Sequence, residues 1–358
     1  MHELSQMIKD DMKPALGVTE PGAIAFAVAK ARSFTKGDIK KVNVAMNSGM
    51  YKNAFTCGIP NSNEVGNVFA AALGVVAGNA DKGLESLADV TPEDNVKAQE
   101  MIDQGKVTVE LSGITSRIFI EATVETEEDK AIVTIRDSHT NITKITVNDK
   151  VELETEDEKK TEEDGGEEEA HSIHKYTLQQ LYDYVTTVDI EEIRFINEAY
   201  KVNLELFHEG LENPRTTFAR QLLAINNGKE VSDDEQKTAS LMCNAAIEAR
   251  VIGLDKPAMS ITGSGAHGII ATMPLYAAYK VNGYTEEQLL RATALSYLVC
   301  MYIKEYSGRL SAFCGCAIAA GSGMACALVY LRGGTVEMMA HTLNNMASSI
   351  TGMICDGG

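Results

Sequence analysis

Residues 152–169 divide the chain into halves of different periodicity, and that division most limits what it can fold into. The stretch holds eleven acidic residues against Lys159 and Lys160 and reads as a solvated, low-complexity loop or linker. Before it, residues 107–111, 118–125 and 131–136 alternate β-branched and polar residues with period two. Residues 142–147 are a fourth candidate strand, and Thr126-Glu-Glu-Asp-Lys130 supplies a turn. These runs predict an antiparallel meander. Around it, helices are expected within 1–36, where Thr19-Glu-Pro21 is a start signal, over 68–76 and over 93–104, with a strand at 41–46.

After the acidic stretch the pattern is helical, over 177–187, 190–208, 213–227, 232–253, 286–304, 312–331 and 335–352. The exception is Pro257-Ala-Met-Ser-Ile-Thr-Gly-Ser-Gly-Ala-His-Gly268, read as a Gly-rich loop. The expectation is an α+β fold with an α+β domain over 1–151, a linker over 152–172 and an all-α domain over 173–358. The helices of 1–36 are available to fold back onto the second domain.

Composition narrows the function. A net charge of -19 argues against nucleic acid or an anionic membrane as partner. The absence of Trp, with 29 Gly, suggests helices packed through small residues, and such helices make a homodimer plausible. Charges in Met1-His-Glu-Leu-Ser-Gln-Met-Ile-Lys-Asp-Asp11 stand where a signal peptide needs an apolar core. Seven cysteines do not make a secreted disulfide framework, and a cytoplasmic location is expected.

Three thiols, Cys314, Cys316 and Cys326, lie in a run with no charge between Arg309 and Arg332, and Cys355 follows near the end. Thiols in such a setting are either inert core residues or ligands of a soft metal or iron–sulfur cluster. No C-x-x-C knuckle is present, so zinc is disfavoured. Cys326 sits ten residues past Cys316, about 280° around a helix, and does not share its face. Cys57, Cys243, Cys300 and Cys326 are read as core.

The Gly263-Ser-Gly-Ala-His-Gly268 loop can turn successive amides into an anion nest for a substrate carboxylate, with the Ser264 hydroxyl beside it. His267 is either part of that site or a structural histidine. His139, in Arg136-Asp-Ser-His-Thr-Asn141, is either a proton carrier or one member of a strand-end turn.

Together these motifs carry a resemblance. Leu16-Gly-Val-Thr-Glu-Pro21, Lys52-Asn53 with Gly58-Ile-Pro60, and His139-Thr-Asn141 come first. Pro257-Ala-Met-Ser260 with Gly263-Ser-Gly265, Tyr302-Ile-Lys304, Gly308-Arg-Leu-Ser311 with Cys314-Gly-Cys316, and Gly352-Met-Ile-Cys-Asp-Gly357 follow in order. The chain resembles the serine dehydratase-like, L-cysteine desulfidase family of UPF0597 type. The resemblance implies an oxygen-sensitive [4Fe–4S] cluster held by three thiolates with one iron open as a Lewis acid, and no pyridoxal phosphate. It implies β-elimination of L-cysteine or L-serine to pyruvate and ammonia, with sulfide from cysteine. Carried over by position, Cys314, Cys316 and Cys355 would be the thiol ligands, His139 and Lys304 catalytic, and Thr19, Glu20, Ser264, Gly265 and His267 substrate-binding.

Three departures accompany it. Val18 replaces the family's Cys, Ala266 replaces its usual Asn, and the family continues past Cys-Asp-Gly to a further ligand cysteine while this chain stops at Gly358. Two expectations therefore stand side by side. One is a shortened, cluster-dependent lyase; the other is a cluster-free relative that binds an amino acid without catalysis.

Overall fold

The computed structural model describes residues 1–115, 117–155, 172–307, 310–311 and 313–355. Most of the acidic stretch read as a linker therefore lies outside the described residues. The chain opens with α1 (Glu3–Asp11), β1 (Lys13–Leu16), α2 (Thr19–Arg32), β2 (Ile39–Asn47), α3 (Ser48–Ala54), α4 (Asn67–Ala77) and α5 (Pro92–Asp103). Five strands follow: β3 (Val107–Gly113), β4 (Phe119–Thr126), β5 (Lys130–Arg136), β6 (Ile142–Val147) and β7 (Lys150–Glu154). Next come α6 (Leu178–Thr187), α7 (Ile190–Ile193), α8 (Asn197–Glu212), α9 (Phe218–Ile225) and α10 (Glu235–Val251). The last elements are β8 (Pro257–Ser260), α11 (Gly265–Asn282), α12 (Glu286–Ser307), α13 (Gly321–Leu331) and α14 (Val336–Ile350). The fold is α+β, as its periodicities predict.

Two compact units share these elements. One comprises residues 17–165 with 251–255 and 356–358; the other comprises 1–16, 166–250 and 256–355.

The sheet unit is built on six strands in the order β3-β2-β4-β5-β6-β7. Strands β4, β5 and β6 form part of the expected meander; β7 extends it into residues 152–154, where the acidic linker was expected to start, and β3 does not join it. It pairs with β2 in parallel, and β2 separates it from β4. A parallel pair needs a long crossover, and α3, α4 and α5 supply one between β2 and β3. One face of the sheet is apolar: Val42, Val44 and Met46 on β2, Ile120, Ala122 and Val124 on β4, Ala131, Val133 and Ile135 on β5. Helices α2 and α4 pack closely because small residues meet. A Cβ on Gly74 would stand 2.8 Å from the Ala25 Cα and 2.8 Å from its carbonyl oxygen.

The helical unit buries Leu290, Leu295, Tyr297 and Leu298 of α12 at its centre, with Ala327 of α13 in the same cluster. Two strands occur where helix or loop was expected. Residues 13–16 form β1 rather than continuing a helix, and β8 lies inside the stretch read as a Gly-rich loop; the two pair antiparallel, Lys13 opposite Ser260. The loop is also shorter than its composition suggests. Ser264 caps α11, so the helix already begins at Gly265. Along 312–331 the backbone is π-helical over Cys316–Ala320 before α13 begins. Among the described residues no helix is long and apolar enough to cross a membrane.

Candidate functional site

In the helical unit the chemistry gathers where the start of α11 meets the Cys314-Gly-Cys316 turn. His267, in the first turn of α11, is buried. Its Nδ1 lies 2.6 Å from the Thr262 hydroxyl, which donates to the Ile261 carbonyl at 2.7 Å. A hydroxyl has one proton, so His267 donates from Nδ1 and Nε2 keeps its lone pair. Thr262 holds this place at a φ of 54°, and its amide donates to Asp11. Burial first, then the nearby Lys304 and Arg250 cations, push the His267 pKa down to about 3. The imidazole is neutral.

Glycine is required between the two cysteines. A Cβ on Gly315 would stand 2.8 Å from His267 Nε2 and 3.4 Å from Lys304 Nζ. Lys304 is itself buried, with Nζ 3.4 Å from the Ser311 hydroxyl. Gly315→Ala is therefore expected to cost about 1–3 kcal/mol of stability by overpacking. An unchanged denaturation midpoint would show that the imidazole gives way freely.

The three thiols assigned by resemblance do come together. The Cys314 amide donates to the Met353 carbonyl at 2.9 Å, and Phe313 forms an antiparallel bridge with Ile354, which lays the last described residues beside the turn. A hydrogen bond with Cys314, then burial, then the sulfurs of Cys314 and Cys355 hold the Cys316 thiol well above its ordinary pKa, while Arg250 opposes them. Cys314, Cys316 and Cys355 are all half-buried, whereas Cys57, Cys300 and Cys326 are buried. Cys243, read as core, is half-buried and lines a surface cavity.

These residues fit a three-thiolate group in the chemistry of their donors, since soft sulfur is what iron–sulfur clusters take. They do not form a ready single-ion site: among the described residues no group of three or more His, Cys, Asp or Glu is placed to hold a metal ion.

Beside the thiols lies the Gly-rich turn. Ser264 accepts from the His267 amide, and the Ser264 amide donates to Ile261. The amides of Gly265 and Ala266, in the first turn of α11, are donors suited to a carboxylate. Gly265 is held against Arg250, whose Nε would stand 2.6 Å from a Cβ there.

The sheet unit carries the other candidates. Thr19 and Glu20 open α2; Val18 is its N-cap, with a side chain that caps nothing. Glu20 is 7% exposed and accepts from the Asn53 amide at 2.9 Å. His139, in the turn after β5, places Nε2 3.9 Å from Glu20 Oε1, and this buried nitrogen has no hydrogen-bond partner among the described residues. Burial opposes the Glu20 charge, but the nearby His139 imidazole and the Asn53 amide prevail, bringing its pKa to about 2. Glu20 is ionised.

Ser264, Gly265, His267, Lys304 and the three cysteines thus belong to the helical unit, and Thr19, Glu20 and His139 to the sheet unit. Sequence reasoning missed Arg250, Thr262 and Asp11. Arg250, a buried arginine in the last turn of α10, carried no distinguishing signal in the sequence.

The α+β chain thus carries clustered thiols beside a Gly-rich helix start and, in its other unit, a carboxylate–imidazole pair. The family model for the serine dehydratase alpha chain matches residues 81–358. A UPF0597 protein of Clostridium botulinum is 40% identical over 354 residues, 98% of this chain and 82% of its own. UPF0597 proteins of Caldanaerobacter subterraneus and Bacteroides fragilis are 37% and 34% identical, each over 99% of this chain and 82% of their own. The chain belongs to the serine dehydratase alpha-chain family. No solved structure matches it.

Proposed function

We propose that this protein is a lyase that eliminates the β-substituent of L-serine or L-cysteine. The observation that carries the reading is the buried, ionised Glu20 facing an unpartnered His139 Nε2. With its proton on Nε2, toward Glu20, His139 presents the Nδ1 lone pair as base. Nδ1 takes the substrate α-proton, and the adjacent carboxylate stabilises the imidazolium that forms. The electron pair of the Cα–H bond becomes the Cα–Cβ double bond as hydroxide or sulfide leaves Cβ. The resulting enamine tautomerises and hydrolyses to pyruvate and ammonia.

In the helical unit, the first-turn amides of α11 offer donors to an anion, and buried Lys304 holds positive charge beside the thiols. Cys314, Cys316 and Cys355 would hold a [4Fe–4S] cluster, which when bound supplies a Lewis acid for the leaving group. No role for pyridoxal phosphate is proposed.

Anaerobic reconstitution of the full chain with iron and sulfide tests the reading. About four irons per chain, as a cubane requires, with pyruvate formed from serine or cysteine, is the expected result. No bound iron and no pyruvate would remove it. Val18, buried where the family has Cys, favours a second reading, a cluster-free protein that binds an amino acid without turning it over. Thermal stabilisation by serine or cysteine without iron or pyruvate would select that one.

A further inference from the structure

A cavity of about 420 Å³ opens at the end of the sheet, lined among others by Asn47, Ser112, Gly113, Phe119, Arg136 and Asp137. It lies where the β2–β3 pairing slips by a residue between Met46 and Asn47. The Arg136 guanidinium lies 4.8 Å from the Phe119 ring and makes no hydrogen bond or ion pair among the described residues. Arg117, also at the cavity, donates to both carboxylate oxygens of Asp137, at 2.7 and 3.2 Å.

We propose that this cavity is a second small-molecule site, and that it binds a small monocarboxylate through Arg136. Two guanidinium groups against one carboxylate leave a single positive charge, which suits a monoanion. Arginine's fork matches a carboxylate in plane, and Ser112 offers a hydroxyl beside it. The Arg117–Asp137 pair is nearly half exposed on both sides and is worth about 0–1 kcal/mol, so a ligand carboxylate can share Arg117 at little cost. Asp137 is then placed to take the ammonium of an amino acid, whereas a 2-oxo acid would use the carboxylate contacts alone.

The walls of the cavity lead to the Glu20–His139 pair. Asn47 is the N-cap of α3, which carries Asn53 onto Glu20. Asp137, at a φ of 66°, starts the turn that presents His139. A bound carboxylate therefore holds both supports of that pair, a consequence that rests on the function proposed above; the binding itself does not.

Calorimetric titration of the full-length chain with L-serine, pyruvate and inorganic phosphate tests the site. Wild type is compared with Arg136→Gln, Gly113→Leu and His139→Gln. A Cβ on Gly113 meets nothing within 4 Å and its φ lies outside the left-handed region, so leucine fills the cavity without backbone strain. The expected result is saturable binding of serine or pyruvate that weakens tenfold or more in Arg136→Gln and Gly113→Leu and survives in His139→Gln. Serine alone would identify an amino-acid site, and pyruvate alone a 2-oxo-acid site. Absence of binding, wild-type binding in both cavity variants, loss only in His139→Gln, or phosphate bound as tightly as either carboxylate would each overturn the proposal. Binding in a protein that forms no pyruvate would leave this site standing and remove the proposed reaction.

Discussion

Glu20→Gln is expected to lower pyruvate formation by about 100-fold or more while leaving the chain folded, because it removes the charge that stabilises protonated His139. Glutamine keeps the shape and can still accept from Asn53, which sits 2.9 Å away. The variant should lower kcat more than it raises KM, since the charge matters most once the α-proton has moved. The same carboxylate has an acid signature. Its folded pKa of about 2 lies below the ordinary 4.5, so its ionised form stabilises the fold fully above pH 4.5. That contribution fades as pH falls from there toward 2, and at neutral pH it amounts to about 3 kcal/mol. Glu20→Gln should flatten this part of the stability–pH curve. Equal acid sensitivity of variant and wild type, with undiminished activity, would show that Glu20 is a spectator.

Gly268→Ala is expected to be the most damaging single-methyl change to the fold. Its Cβ would stand 1.8 Å from the Met259 carbonyl oxygen and 2.9 Å from the carbonyl carbon, both backbone atoms of β8. No side-chain rotation relieves that overlap, so α11 must lift from β8. The loss should reach about 4 kcal/mol or more, beyond the usual range for point substitutions. The helix propensity gained by replacing glycine, about 1 kcal/mol, does not offset it. Gly352→Ala, where a Cβ meets nothing within 4 Å, is the matched control and should change stability by under about 0.5 kcal/mol. Urea denaturation of both variants decides the matter, and a Gly268→Ala loss below about 1 kcal/mol would refute the packing argument.

Local pattern carried β2 to β6 and most of the helices because each rests on its own periodicity. β5 and β6 fall within one residue of their expected bounds. What local pattern could not carry was pairing across distance. Nothing in residues 39–47 announces that they lie between β3 and β4, since that order follows from a crossover through three helices. The start of α11 was hidden because glycines at 263 and 265 read as loop, while Ser264 as a cap makes the second of them helical. At the site, residue types and resemblance singled out His139 and Glu20 separately, 119 residues apart. Only the fold brings the imidazole to the carboxylate and gives both a shared meaning. Gly315 shows the reverse case, a residue visible in the motif whose reason, the imidazole and ammonium at its Cα, is purely spatial.

The ribbon of β1 and β8 sets a timetable for the newborn chain. The Ser260 hydroxyl donates to the Lys13 carbonyl across 247 residues of sequence. At a synthesis rate of about 5–20 residues per second, β1 waits roughly 12–50 s for its partner to leave the ribosome. During that interval β2 to β7 are already available to pair among themselves, whereas α1 and β1 have yet to meet the elements they will pack on. Residues 1–16 are thus made well before the elements they pack on and are among the last parts of their unit to be placed, with Leu4 and Ile8, buried in the finished fold, left uncovered in the meantime.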